Sequence, residues 1–421
     1  MRARAGGTRA GAGALRRPGF RRLWLAGVIS DTGDWLLLIA LPTLVYQLTG
    51  SVGHTSFAFL AELVPAVLLG APGGYLADRC DRRRLLVVVA GIQALALLPL
   101  LLVHGREDLP VLYGVIAVQA GLLTVSQAAK NALVPALAPA GHAVSANSLM
   151  VIGQNVGRLV GGPLGGLLLA VSGLPTIVVV DSVSFLAAAA LIQGITGVRT
   201  RPADRPTPGD AARTPRPVRI ALAIGALTGV AQGIFVVLFV VWVARELGGG
   251  AAETGLLRGV QAVGTVAAGI LLAVAPAVRR PAVLVVAGGA AFGLVSFAIW
   301  NGPAVTTSLP LYIVLFIAVG LPALAMVAGL TSVLQQATTD RHRGRTFGLF
   351  GMTSDAGSAA GMLAAGLLTE HIGLTVALNA QAALYVAATA VALMLLRHER
   401  RSHPPTAVPG PAGTAATAVS G

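Results

Sequence analysis

Apolar runs long enough to cross a bilayer recur twelve times along this 421-residue chain, and that recurrence constrains its fold more than any other feature. They lie near residues 23–47, 56–77, 85–103, 110–129, 145–171, 174–195, 220–244, 255–275, 282–300, 309–334, 346–369 and 373–396. The hydrocarbon core takes about 20 residues of helix. A backbone crossing it must satisfy its own hydrogen bonds, as a helix does. Composition points the same way: 55% of residues are hydrophobic and 11% charged, whereas a soluble domain carries about a quarter charged residues. Glycines and prolines scattered through the apolar runs suit helices that pack closely in lipid. The expected fold is an all-α membrane protein of twelve transmembrane helices.

The net charge of +14 would suit a nucleic-acid-binding chain, but its placement excludes that partner. Of 30 Lys and Arg residues, 26 fall in the segments that an even span count puts on one side. Lys130, the single lysine, is counted there with the loop after span 4. Arg106, Arg245 and Arg258 fall opposite, Arg258 near a helix end, and Arg158 lies within span 5. Positive residues collect on the cytoplasmic side. Both termini are therefore expected in the cytoplasm. The expected organisation is a basic N-terminus (1–22), a six-helix bundle (23–195), a Pro/Arg-rich cytoplasmic linker (196–219), a second six-helix bundle (220–396) and a disordered tail (397–421). One cysteine, Cys80, excludes an internal disulfide and a cysteine-based metal cluster.

Between spans 2 and 3 stands Gly74-Tyr75-Leu76-Ala77-Asp78-Arg79-Cys80-Asp81-Arg82-Arg83-Arg84. It resembles the loop signature of the major facilitator superfamily, G-x-L-a-D-r-x-G-r-[RK]-[RK], with Asp81 in place of the second glycine. Gly74 permits close helix contact, Asp78 sits at a helix end, and Arg79 and Arg82 can pair with it or with lipid phosphates, forming a gating latch. In span 5, Gly153-x3-Gly157-Arg158-Leu159-Val160-Gly161-Gly162-Pro163-Leu164-Gly165-Gly166 looks like the superfamily's antiporter motif, G-x3-G-P-x2-G-G, with one residue rather than two after Pro163. Gly157, Gly162, Pro163 and Gly166 then form a packing face with a bend. Further segments, among them Phe20-Arg21-Arg22-Leu23-Trp24, Gln127-Ala128-Ala129-Lys130 and Asp340-Arg341-His342-Arg343-Gly344-Arg345, are similar to the branch holding macrolide-efflux proteins and the enterobactin exporter. The resemblance implies two pseudo-symmetric bundles rocking about a midplane cavity in a bacterial inner (plasma) membrane; one such unit suffices for transport, so a monomer is the default expectation.

An ionisable group in hydrocarbon costs at least ~2.5–3.5 kcal/mol, so each one needs a reason. Asp34 resembles the family's acidic position in span 1 and is expected to exchange protons; pairing with Arg158 is the structural alternative. Asp31, nearer the cytoplasmic end, is read as capped or solvated. Glu62 is either a second proton or cation site or a group near the outer mouth. Arg158 is expected to neutralise Asp34, with holding an anionic substrate as the alternative, while Asp181 and Asp355 are read as structural. The resemblance places cavity-lining residues on spans 1, 4, 7 and 10, with Tyr46, Gln119, Gln232, Phe235, Trp242, Met326 and Gln335 as candidates.

No Walker phosphate loop, no nucleophile–His–acid set and no metal-ligand spacing is present. The chain is thus not expected to be an enzyme or to hold a cofactor or metal, and a proton gradient is the expected energy source. The expected function is export of an amphipathic small molecule (a drug, a macrolide-like compound or a siderophore) in exchange for protons. Uptake or lipid flipping by the same fold is the alternative, and a transport-dead membrane sensor a further one.

Overall fold

The computed structural model describes residues 15–137, 143–196, 215–274 and 280–402. Most of the expected linker, N-terminal segment and tail lies outside the described residues. The chain is helical, without a strand among the described residues: α1 (Pro18–Thr49), α2 (Val52–Arg79), α3 (Arg82–Ala96), α4 (Leu109–Leu137), α5 (Ala143–Gln193), α6 (Arg216–Glu246), α7 (Ala251–Val274), α8 (Pro281–Asn301), α9 (Leu309–Ala318), α10 (Gly320–Gln336), α11 (Asp340–Ile372) and α12 (Leu374–Ser402). Ten segments among the described residues are long and apolar enough to cross a membrane, with α9 and α10 together forming one of them.

The breaks in this pattern have local causes. Gly173, inside α5, takes φ 75° and ψ −175°, a conformation open to glycine alone. Pro175 follows two residues later at a position a helix start tolerates. The 51-residue α5 is therefore two legs that fold back at Gly173. The break falls between predicted spans 5 and 6. The 33-residue α11 is long enough to span but is richer in Gly, Ser and Thr than the others.

α1 to α5 pack mainly on one another, and so do α6 to α12. Four apolar cores hold these two groups together, centred on residues such as Leu112 and Phe185 or Phe20 and Leu133 in the first, and Trp242 and Tyr312 or Ile224 and Leu334 in the second. The groups meet along two seams, α5 with α7 and α2 with α11.

Both seams close at the end that carries the turns at Gly50 and Gly248. Gly162 and Gly166 of α5 lie so near Ala251, Gly255 and Gly259 of α7 that a side chain at any of these glycines would strike backbone or Pro163. In the second seam, Ser56 Oγ donates to the Met362 carbonyl at 2.5 Å, and a Cβ at Gly366 would come within 2.8 Å of Ser56 Cβ. Arg245 caps the same end, donating from Nε to Tyr46 Oη at 2.7 Å. Small residues permit such backbone approach, where each helix loses little side-chain freedom and gains dispersion contact.

Towards the opposite end the seams part. Gly70 and Gly74 of α2, and Gly348 and Gly351 of α11, have open space where a Cβ would stand. Beside them Leu68, Tyr75 and Met352 are exposed. Gly74 therefore makes no close helix contact, contrary to the sequence expectation, because α2 and α11 have separated by the time they reach it. Arg79 lies over the Tyr75 ring at 4.5 Å. Arg82 donates to the Ala77 and Ala132 carbonyls, tying the start of α3 to α4. The Asp78 side chain lies outside the described residues, so the gating latch is located only by its arginines.

The seam yields a direct test. In a Cys80→Ser background, Thr254→Cys, buried at the closed end, should react slowly with a membrane-impermeant maleimide. Adding Gly255→Val should wedge α5 from α7 and raise that labelling several-fold; unchanged labelling would contradict the seam.

Candidate functional site

A cavity lies where the two helix groups face each other below the closed seams. Its first chamber, about 370 Å³, is lined by Asp31, Asp34, Glu62, Gln127, Asn155 and Arg158, among others. Its second, about 320 Å³, is lined by aromatic and amide side chains of α6 to α12, including Gln232, Phe235, Trp300 and Phe316, with Arg258. Trp35 and Arg158 line both chambers and so stand at their junction. A small side pocket beneath Pro42 reaches Gln119 and shares Asp34 and Glu62 with the first chamber.

The glycines of α5 put these groups in place. Gly157 sits against Asp31 and Thr32, Gly161 against Thr32 and Trp35, and Gly165 against Leu36. These positions recur every four residues and so form one ridge along the helix. The ridge draws α1 in until Asp31, Asp34 and Trp35 share the cavity wall with Arg158. From the other side, Gly33 of α1 faces the Asp181 carboxylate so closely that no side chain would fit there.

The charges pair differently from the sequence expectation. Lys130 Nζ bonds Asp31 Oδ1 at 2.9 Å, with both side chains buried. Asp31 is thus neither capped nor solvated. Lys130 is not a loop positive either, since α4 continues to Leu137 and carries it inside the bundle. Asp34 makes no ion pair with Arg158 among the described residues. Arg158 instead donates to Gln261 Oε1 on α7 at 2.5 Å and stacks over Trp35 at 5.1 Å. Asp34 lies half-buried on the cavity wall, within electrostatic reach of Lys130, Asp31, Asp181 and Glu62. Asp181 is enclosed, accepts from Ser184 at 2.9 Å, and leaves Oδ2 without a partner. Asp355 is exposed on α11. Arg258 lies in the second turn of α7, near its start as expected, on the cavity wall and stacked over Phe235 at 4.7 Å.

Of the expected cavity residues, Gln119, Gln232 and Phe235 line these spaces. Gln119 donates to the Gln93 carbonyl at 2.8 Å and leaves Oε1 buried without a partner. Three others do not line the cavity. Trp242 is fully enclosed in a ring cluster with Trp300, Tyr312 and Phe316. Met326 is buried against Gly288 of α8. Tyr46 belongs to the closed end, where Arg245 holds its hydroxyl. Gln335 is exposed near the end of α10. Polar or aromatic character marked these positions, but helix rotation decides which way they face; Trp35, Arg258 and Trp300 line the cavity and were not among the residues expected there.

The buried pair carries its own prediction. Breaking a buried ion pair by removing one partner costs about 3–5 kcal/mol, because the other charge stays behind. Asp31→Asn or Lys130→Met should each lower the apparent Tm of the purified protein, followed by tryptophan fluorescence. The double variant should recover most of the loss. Additive losses would show that the two side chains are not coupled.

A family model described as the Major Facilitator Superfamily matches residues 23–227 and 221–419. An uncharacterized MFS-type transporter of Bacillus subtilis, YfiS, is 30% identical over 175 residues, 41% of each chain. The multidrug efflux pump Tap of Mycobacterium tuberculosis is 31% identical over 189 residues, 42% of this chain and 44% of Tap. These matches span less than half the length of either relative. Among solved structures, a bacterial homologue of the iron transporter ferroportin in an inward-facing state superposes with a TM-score of 0.71 at 18% identity, covering 90% of this chain and 98% of the other. An outward-facing structure of such a homologue superposes with 0.59 at 17% identity, covering 90% and 99%. With the family match running along nearly the whole chain and the fold repeating that of known transporters, this protein belongs to the Major Facilitator Superfamily.

Proposed function

We propose that this chain is a secondary active transporter that exports an amphipathic small molecule in exchange for protons, by alternating access. Twelve spans follow when the two legs of α5 are counted separately and α11 is added to the apolar helices. The end at which the seams part carries Arg79, Arg82, Arg83, Arg84 and Arg343. By the positive-inside rule that end is cytoplasmic, both termini lie in the cytoplasm of a bacterial cell, and the conformation described is inward-facing. The closer likeness to an inward-facing transporter structure agrees with this orientation.

The observation that carries the proton role is the division of labour between Asp31 and Asp34. Lys130 neutralises Asp31 within the bundle, whereas Asp34 faces the cavity with no ion pair or hydrogen bond among the described residues. A proton taken up at Asp34 when the cavity opens outward, and released when it opens inward, would change the charge of the wall between the two half-cycles. Coupling needs only that substrate and proton prefer different conformations by a few kcal/mol. The efflux direction is supported by the similarity to Tap.

Everted membrane vesicles loaded with a pH-sensitive dye and energised give the test, with a panel of macrolides, dyes and siderophores added to wild type and to Asp34→Asn. Substrate-induced proton release should appear in wild type and vanish in the variant. Release that persists in Asp34→Asn would remove Asp34 from the proton path, and release of opposite sign would reverse the direction.

A further inference from the structure

The two chambers differ in sign. The first chamber carries the carboxylates Asp31, Asp34 and Glu62, with Lys130 held on Asp31 and Arg158 at its border with the second chamber. The second carries two guanidinium groups, Arg158 and Arg258, and no carboxylate in its lining. Neither arginine is ion-paired among the described residues. Arg158 spends one nitrogen on Gln261 and keeps Nε buried without a partner. Arg258 lies over the faces of Phe235 and Phe239 at 4.7 and 5.9 Å. Its acidic neighbour within electrostatic reach is Glu62, across the cavity on α2, and Arg158 is a second positive charge beside it.

Two unpaired positive groups facing one enclosed space raise the energy of the empty state, and an anion entering between them relieves it. Guanidinium groups suit that task, since each presents a planar fork of donors that matches a carboxylate, sulfonate or phosphate. The rest of the wall mixes aromatic and apolar side chains with amides and hydroxyls. Phe235 and Trp300 lie 6.1 Å apart, Phe316 adjoins Trp300, and Gln232 and Gln381 supply amide groups. Trp300 is fixed by its own bond to Gln381 at 2.9 Å, so its ring is a rigid surface. The space of about 320 Å³ is within the range of small-molecule pockets.

We propose that the second chamber selects an amphipathic aromatic anion, its carboxylate, sulfonate or phosphate head held between Arg158 and Arg258 and its rings against Phe235, Trp300 and Phe316. The proposal rests on the reading of this cavity as the substrate path and narrows the substrate class from amphipathic molecules to anionic ones. Arg158 also bridges α5 to Gln261 of α7, so an anion drawn to it binds where the two helix groups meet, and its departure changes the charge at that seam.

The test uses purified full-length protein in lipid nanodiscs and two probes with the same ring system, 1-naphthalenesulfonate and 1-naphthyltrimethylammonium, with binding followed by calorimetry. Wild type should bind the sulfonate in clear preference to the cation. Arg258→Gln should weaken sulfonate binding on the order of tenfold or more, as expected for loss of a charge-assisted hydrogen bond, with Arg258→Lys intermediate. Glu62→Gln should not weaken it. Equal or tighter binding of the cation to wild type overturns the proposal without reference to any variant, and so does absence of sulfonate binding to a folded wild-type protein. Proteoliposomes separate this failure from that of the transport reading. Transport of the cation alone refutes only the anion preference, whereas transport of neither probe nor any of the macrolides, dyes and siderophores removes the substrate path on which it rests.

Discussion

Everything in this structure depends on how closely α5 approaches its two neighbours. The helix carries two glycine ridges on adjoining faces. Gly157, Gly161 and Gly165 receive α1 within the first helix group, and Gly162 and Gly166 receive α7 of the second. In lipid no hydrophobic effect drives helices together, so association relies on dispersion and backbone proximity that only small residues permit. One face therefore builds the first bundle and the other closes the cavity between bundles. The first is a constant of the fold. The second is a contact that an alternating mechanism must be able to break, and backbone-to-backbone contact without interlocking side chains can slide apart at little steric cost.

The same approach determines the electrostatics of the site. By drawing α1 against α5 it places Asp31, Asp34 and Trp35 beside Arg158, and the arrival of α4 brings Lys130 to Asp31. The outcome is an acidic wall in which one carboxylate is satisfied within the bundle and another faces the cavity. The second helix group answers with Arg158's partner Gln261 and with Arg258 among aromatic rings. Charged side chains thus line the cavity from both helix groups, Asp34, Glu62 and Arg158 from the first and Arg258 from the second. The packing motif and the charged residues are consequences of one geometry.

Much of the fold was legible in the sequence because lipid imposes a simple grammar. Run length and arginine placement located the helices and the fold-back near Gly173, but the single glycine face expected on α5 is two, with Gly157 against α1 and Gly162 and Gly166 against α7. The partners of the charges were not legible. Span 4 was ended at residue 129 by hydropathy, one residue before Lys130, so a buried ammonium was counted as a loop positive. A signal existed: Lys130 is the lone lysine among 30 basic residues. Trp242 and Met326 were expected to line the cavity because they are large and lie on spans that line it in the family, yet the rotation of α6 and α10 turns them into apolar cores. Arg258 was expected near a helix end and does lie in the second turn of α7, but its position along the helix says nothing of which face looks inward. Side-chain direction is set by packing among helices distant in sequence, which no local pattern records.

The central claim is that the seams at the Gly50 end and the parting at the Tyr75 end are two halves of one rocking motion. Spin labels report it directly in a Cys80→Ser background, with one pair at Ser51 and Glu370 across the closed end of α2 and α11 and another at Tyr75 and Met352 across the open end. Interspin distances measured in nanodiscs before and after acidification or addition of a transported compound should change reciprocally, the first pair lengthening as the second shortens. Distances that stay fixed at both ends, or that move in the same direction, would contradict alternating access about this cavity.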